Sequence, residues 1–208
     1  MALRPIPDGV GASDFSIRDA RFQIVQTSAF TGTQQVINRG PSIWEGTLNL
    51  PIVKDTQKAR EVSAWLTSLD GASHHTHIDG NLIDKLNPTF THSSGPNWVV
   101  TSIDANEFVR VDSTINARDF VRVFAVGNYL SVASRTNPEI TRTFIVGDVN
   151  GPLRQFCAYP KGVLQPGDII SSNPVLSVNF TSGTARPGST YGVDFNGPWA
   201  LQWREVLG

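Results

Sequence analysis

The sequence has a single cysteine, Cys157, no excess of charge of either sign, and no apolar run of about 18 residues. A lone thiol excludes an internal disulfide framework and any zinc site built from several cysteines. Without a long apolar run there is no transmembrane helix to predict. The opening Met1-Ala2-Leu3-Arg4-Pro5-Ile6-Pro7 lacks the apolar stretch of a secretory signal, which predicts a soluble protein made in a cytoplasm. Lys and Arg number 17 against 18 Asp and Glu, a formal net charge of -1, so no global positive field attracts nucleic acid or an anionic membrane. The arginines stand singly, as at Arg110, Arg118, Arg122, Arg135, Arg142 and Arg154, and form no basic run. What remains is a chain of 208 residues, 39% hydrophobic and 17% charged. That size buries about 70% of the unfolded surface and needs no disulfide or metal to hold a core.

Turn residues are dense, with 18 Gly and 13 Pro. They separate short segments rich in Val, Ile, Phe and Thr, the pattern of an antiparallel β-protein. Strands are predicted at 21–27, 33–38, 43–53, 98–103, 107–112, 120–126, 141–149, 168–171, 175–180 and 199–206. The last alternates most clearly, Trp199, Leu201 and Trp203 facing one way and Ala200, Gln202 and Arg204 the other. Gly-Pro occurs at Gly40-Pro41, Gly95-Pro96, Gly151-Pro152 and Gly197-Pro198, and three of these pairs precede Trp44, Trp98 and Trp199. The arrangement reads as turn, strand and aromatic core anchor, with tryptophans stacked on sugar rings as the functional alternative. One helix is predicted at about 55–69. Asp55 or Thr56 caps it, Ala59, Val62, Trp65, Leu66 and Leu69 share one face, and Gly71 ends it. Such a stripe must close over a sheet. Phe-Val-Arg-Val occurs twice, at Phe108 to Val111 and Phe120 to Val123, which establishes no repeat architecture.

Chemistry is thinly represented. In Ser73-His74-His75-Thr76-His77-Ile78-Asp79, a strand would put His75 and His77 on one face with Asp79 continuing it, a donor set suited to zinc or iron. Glu61 and His92 could complete a site only if the fold brought them near. The alternative is a solvated loop or edge strand. Cys157 lies in apolar Gln155-Phe156-Cys157-Ala158-Tyr159 and reads as a small core residue. Asp104, Glu107, Asp112 and Asp119 cluster around turns and suit turn chemistry better than a glycosidase pair. No Gly-x-Ser-x-Gly elbow, dinucleotide fingerprint or P-loop occurs. No catalytic, cofactor-binding or metal site is therefore assigned, no cofactor is implied, and no enzyme is expected.

One strand reads Ile43-Trp44-Glu45-Gly46-Thr47-Leu48-Asn49-Leu50-Pro51, and the helix ends Ala64-Trp65-Leu66-Thr67-Ser68-Leu69-Asp70-Gly71. Later come Val126-Gly127-Asn128-Tyr129-Leu130-Ser131-Val132 and Gly151-Pro152-Leu153-Arg154. The order of these features resembles the distal tail and other tail-tip (baseplate) proteins of long-tailed bacteriophages. The histidine-rich connection after Gly71 and the stretch Arg186-Pro187-Gly188-Ser189 depart from that pattern. The resemblance implies a virion structural protein of the phage tail tip, assembled in the bacterial host cytoplasm. Its copies would form a homo-oligomeric ring, commonly a hexamer, joining the tail tube to hub, fibres or receptor-binding proteins, with neither sequence-specific nucleic-acid binding nor membrane insertion.

The expected fold is mainly β: antiparallel sandwich or barrel-like sheets with one amphipathic helix packed on a sheet. Residues 1–96 are expected to form a strand-helix unit with an extended arm and a polar connection. Residues 97–208 are expected to form a second β group packed with the first as one compact domain. Interface contacts are expected from the arm 2–13, the turn 115–118 and the connection 74–96. The functional alternative is a carbohydrate-binding β-sandwich for host recognition, using the tryptophans and the polar loops Thr91-His92-Ser93-Ser94 and Thr181-Ser182-Gly183-Thr184.

Overall fold

The computed structural model describes residues 3–20, 23–27, 31–38, 42–69, 74–79, 97–112, 117–182 and 199–207. The turns at Gly40-Pro41, Gly71, Gly95-Pro96 and Gly197-Pro198, the segment 186–189, His92 and most of the polar connection lie outside them.

The chain is mainly β and antiparallel. Its strands are β1 (Asp14–Ala20), β2 (Gln23–Thr27), β3 (Gln34–Asn38), β4 (Ile43–Leu50), β5 (Thr76–Ile78), β6 (Trp98–Ile103) and β7 (Phe108–Val111). They continue with β8 (Tyr129–Ala133), β9 (Thr141–Asn150), β10 (Gln155–Tyr159), β11 (Ile169–Ser171), β12 (Leu176–Ser182) and β13 (Trp199–Glu205). The helices are α1 (Thr56–Ser68) and α2 (Ala117–Val123). One five-stranded sheet runs β1-β4-β13-β12-β5, so strands from both ends of the chain lie side by side. The intervening strands close a six-stranded barrel in the order β10-β7-β6-β11-β8-β9. The third unit is the hairpin β2-β3.

Helix α1 forms for the reasons its sequence suggests. Asp55 Oδ1 accepts from the Gln57 and Lys58 amides at 2.8 and 3.2 Å, satisfying two of the donors a helix start leaves open. Ala59, Val62, Trp65, Leu66 and Leu69 are buried and share a core with Leu48 and Leu50 of β4, Phe180 of β12 and Leu201 of β13. The strand β13 alternates buried and exposed along its whole length, as its pattern requires.

The Trp-x-Gly-x-Leu-x-Leu pattern of β4 has a steric cause. Trp44, Gly46, Leu48 and Leu50 fall on one side of the strand, and a Cβ at Gly46 would sit 1.9 Å from the Ser16 carbonyl oxygen and 2.9 Å from the Trp203 ring. Only glycine admits both β1 and Trp203 at this point. Gly46→Ala is expected to lower stability by about 2–3 kcal/mol through overpacking, read as a lowered urea midpoint.

The second helix corrects an expectation. Residues 120–126 were expected as a strand, yet Ala117–Val123 is helical. In β7 the tetrapeptide Phe-Val-Arg-Val buries its two valines, on alternate positions. In α2 the same four residues bury Phe120 and Val123 while Val121 and Arg122 face solvent, and Phe124 continues the buried face. The spacing 120, 123, 124 is helical, and the barrel interior selects it over local β-propensity. Phe120 and Phe124 stack at 4.7 Å, and Phe124 reaches Phe156 at 4.6 Å and Trp98 at 5.3 Å. The chain thus has two helices among the described residues rather than the one expected.

Candidate functional site

The histidine cluster is only partly assembled. His75 and His77 share a face, their rings 5.8 Å apart. His75 is fully buried beside the N-terminal arm, and among the described residues neither ring nitrogen has a hydrogen-bond partner. Burial, and then the neighbouring His77, push its pKa below the ordinary histidine value and favour the neutral ring. His77 Nε2 lies 2.8 Å from the Glu139 carbonyl oxygen, while Asp79 is exposed. Among the described residues no group of three or more His, Cys, Asp or Glu side chains is placed to hold a metal ion. His74, His75 and His77 are therefore not gathered with Glu61 into such a group.

Cys157 is not a core residue. It lies half-buried on β10 between the buried Phe156 and Ala158, on the outward side of the barrel strand. Burial first, and then Asp148, raise its pKa and keep the thiol protonated. Asp104 organises the turn between β6 and β7, its Oδ1 accepting from the Asn106 and Phe108 amides at 2.8 and 2.9 Å. Glu107 pairs with Lys161, and Asp119 lies in the first turn of α2.

All five tryptophans are buried, so none offers a ring face for stacking on a sugar. Two of them instead join neighbouring elements, Trp44 the sheet to the barrel and Trp65 helix α1 to the N-terminal arm. Trp44 Nε1 donates to the Thr143 carbonyl at 2.6 Å, and its ring meets Tyr129 edge-on at 6.0 Å. Trp65 Nε1 donates to the Arg4 carbonyl at 3.2 Å.

The arm 2–13, expected as a strap between subunits, is docked on its own chain over its described length. Leu3 bridges to His75, and the Arg4 amide donates to the His75 carbonyl at 2.8 Å. Ile6, Val10 and Ala12 pack against the α1 core, and the Ser13 amide donates to Asn49 at 2.8 Å. The arm thus ties the β5 edge of the sheet to the β1 and β4 side. It borders a cleft of about 790 Å³ whose walls include Phe15, His77 and Asp79.

Sequence reasoning missed the most unusual polar site, at the junction of sheet and barrel. Glu205 closes the buried face of β13, and its Oε2 accepts from the Trp44 amide at 3.2 Å. Its Oε1 has no hydrogen-bond partner among the described residues, and Arg142 Nε of β9 lies 3.6 Å away. Burial raises the Glu205 pKa from 4.5 to about 7, against the pull of Arg142 and of the Trp44 and Thr143 backbone amides. The alternation of β13 puts position 205 on the apolar face; that is the signal that could have exposed it.

The surfaces left open are strand edges and a few apolar side chains. The sheet side facing away from α1 is a polar ladder in which Glu45 pairs with Arg18 at 2.7 Å and with Arg204 at 3.3 Å. The pull of these two arginines outweighs burial and holds the Glu45 carboxyl below its ordinary pKa. On the barrel exterior Val99 and Ile169 lie directly opposite each other and are 40% and 53% exposed. Among the described residues strand β1 pairs only with β4, and β2 and β3 pair only with each other. No helix is long and apolar enough among the described residues to cross a membrane. No protein-family model matches the chain, and no curated protein matches it.

Proposed function

We propose that the protein is a structural component of a bacteriophage tail tip, working as a ring of copies that links the tail tube to tip or receptor-binding proteins. The observation that carries this reading is the ribbon β2-β3. Strand β1 pairs with β4 up to Ala20 and Ile43, and the chain then continues into a second antiparallel pairing from Gln23 with Asn38 to Thr27 with Gln34. A two-stranded hairpin is at best marginally stable alone in water. A surface on a neighbouring copy would complete it. Ring closure would also cover the edge of β1 that has no partner strand among the described residues, because each subunit's edge meets the next. The exposed Val99 and Ile169 pair adds apolar area of the kind permanent interfaces use. The features that resemble distal tail proteins, the β4 strand and the end of α1, build the sheet that carries the ribbon.

The test is to replace residues 23–38 with a short turn. Light scattering is expected to show loss of the oligomer, while the unfolding midpoint of the remaining chain changes by no more than about 1 kcal/mol equivalent. An oligomer that survives the replacement would remove the ribbon, and this reading with it.

A further inference from the structure

Strand β5 ends the order of the five-stranded sheet, paired on one side with β12. Its other side meets the N-terminal arm, where Leu3 forms a parallel bridge with His75 and the Arg4 amide donates to the His75 carbonyl at 2.8 Å. The Arg4 carbonyl in turn accepts from Trp65 Nε1 at 3.2 Å. One residue thus holds the arm to both the sheet and α1. Pro5 and Pro7, which follow it, have no amide to add. The arm meets the sheet again at Ser13, whose amide donates to the Asn49 carbonyl at 2.8 Å, and Gly9 between them turns at a φ of +71°. The side chain at the Arg4 joint is His75, 0% exposed, with no hydrogen-bond partner on either ring nitrogen among the described residues. A neutral imidazole tolerates that setting far better than an imidazolium, which has a charge and two N–H donors to satisfy.

We propose that the arm is an acid-released latch: it stays closed on the β5 edge while His75 is uncharged, and protonation of His75 frees it. The charges around the imidazole act in the same direction. On its own strand His77 lies 5.8 Å away, ring to ring, with His74 next in sequence and Asp79 exposed beyond. His77 is already engaged, its Nε2 2.8 Å from the Glu139 carbonyl oxygen. The arm carries Arg4 and the positive amino terminus, and the latter disfavours a charged ring. Glu139, before β9, pulls the other way, and burial and His77 outweigh it. Strand β12 opposes β5 with Leu176, Ser177 and Val178, none of which titrates. Once the arm leaves, water reaches the joint and His75 takes up a proton near the ordinary value of 6.5, whereas the docked state does so only at lower pH. Docking is therefore fully supported above the ordinary value and weakens as the pH falls below it. Release bares the outer edge of β5, whose amides and carbonyls are then open to another strand. The latch belongs to one chain and does not rest on ring assembly.

The test is NMR of the intact protein, following hydrogen exchange at the Arg4 amide together with the His75 ring titration. Corrected for the intrinsic pH dependence of exchange, protection at Arg4 is expected to fall severalfold from about pH 7.5 to about pH 5, while the α1 amides keep theirs. Protonation of Glu205 strengthens the whole fold over that interval, so a loss confined to the arm is not global unfolding. His75→Leu is expected to hold Arg4 protection equal at both pH values. Arg4→Pro removes the amide that fixes the arm and is expected to move the His75 titration up toward the ordinary value. Arg4 protection that is flat with pH in the parent overturns the latch. So does a fall shared by α1, or one of the same size in His75→Leu. A His75 titration identical in Arg4→Pro and the parent overturns the coupling of ring to arm.

Discussion

Glu205→Gln is expected to gain about 3 kcal/mol of stability on the parent protein as the pH rises from about 4.5 to about 7.5. The sign follows from which state holds the proton. Folding raises the Glu205 pKa from 4.5 to about 7, so between those values the unfolded chain releases a proton that the folded chain keeps. The contribution is therefore fully present below the unfolded value and is lost as pH rises through the folded one. Glutamine keeps the shape and an acceptor for the Trp44 amide while carrying no charge to bury. Urea unfolding of both proteins across this window gives the difference directly and cancels carboxylates that do not interact with Glu205. A difference that stays flat with pH would mean that Arg142 fully compensates the carboxylate in the folded protein.

Trp203→Ala is expected to cost about 4 kcal/mol, a fall of about 10 °C in melting temperature for a chain of this size. Trp203 is 1% exposed, stacks on Phe15 at 5.4 Å and lies against the space left by Gly46. Its Nε1 has no hydrogen-bond partner among the described residues, so the loss is one of volume and packing. A comparison with Trp44 separates that cause from a polar one. Trp203→Phe strands nothing, whereas Trp44→Phe leaves the Thr143 carbonyl without the 2.6 Å donor it now has. Trp44→Phe is therefore expected to be worse than Trp203→Phe by about 1–2 kcal/mol in chemical unfolding. Equal losses in the two variants would show that the sheet–barrel hydrogen bond contributes nothing.

What the sequence made legible was local. The α1 stripe from Ala59 to Leu69 and the alternation of β13 each follow from one element meeting one apolar surface, and both were readable. Strand β1 was harder to read, because its alternation of exposed Asp14, Ser16 and Arg18 with half-buried Phe15 and Ile17 rests on only two apolar side chains at a sheet edge. Helix α2 was misread because Phe-Val-Arg-Val suits either a strand or a helix, and the barrel interior decides between them. Placement of the last strand β13 between β4 and β12, and closure of the barrel by β10 on β7 and β11 on β6, depend on pairings between distant segments that no local pattern encodes. The Glu205–Arg142 site was hidden for the same reason: two ordinary charged residues become unusual only when β13 meets β9. The histidine cluster shows the converse. Its spacing did put two rings on one face, but the arm and the β12 pairing use that strand as an edge of the sheet.

The central claim is that the chain acts by presenting β-edges and surface to copies of itself. The most direct measurement is light scattering of the intact protein over a concentration series, with electron microscopy of the same samples. The expected result is a closed oligomer of one fixed copy number, seen as rings. A species that stays monomeric up to the highest soluble concentration and shows no ring on the grid would contradict it.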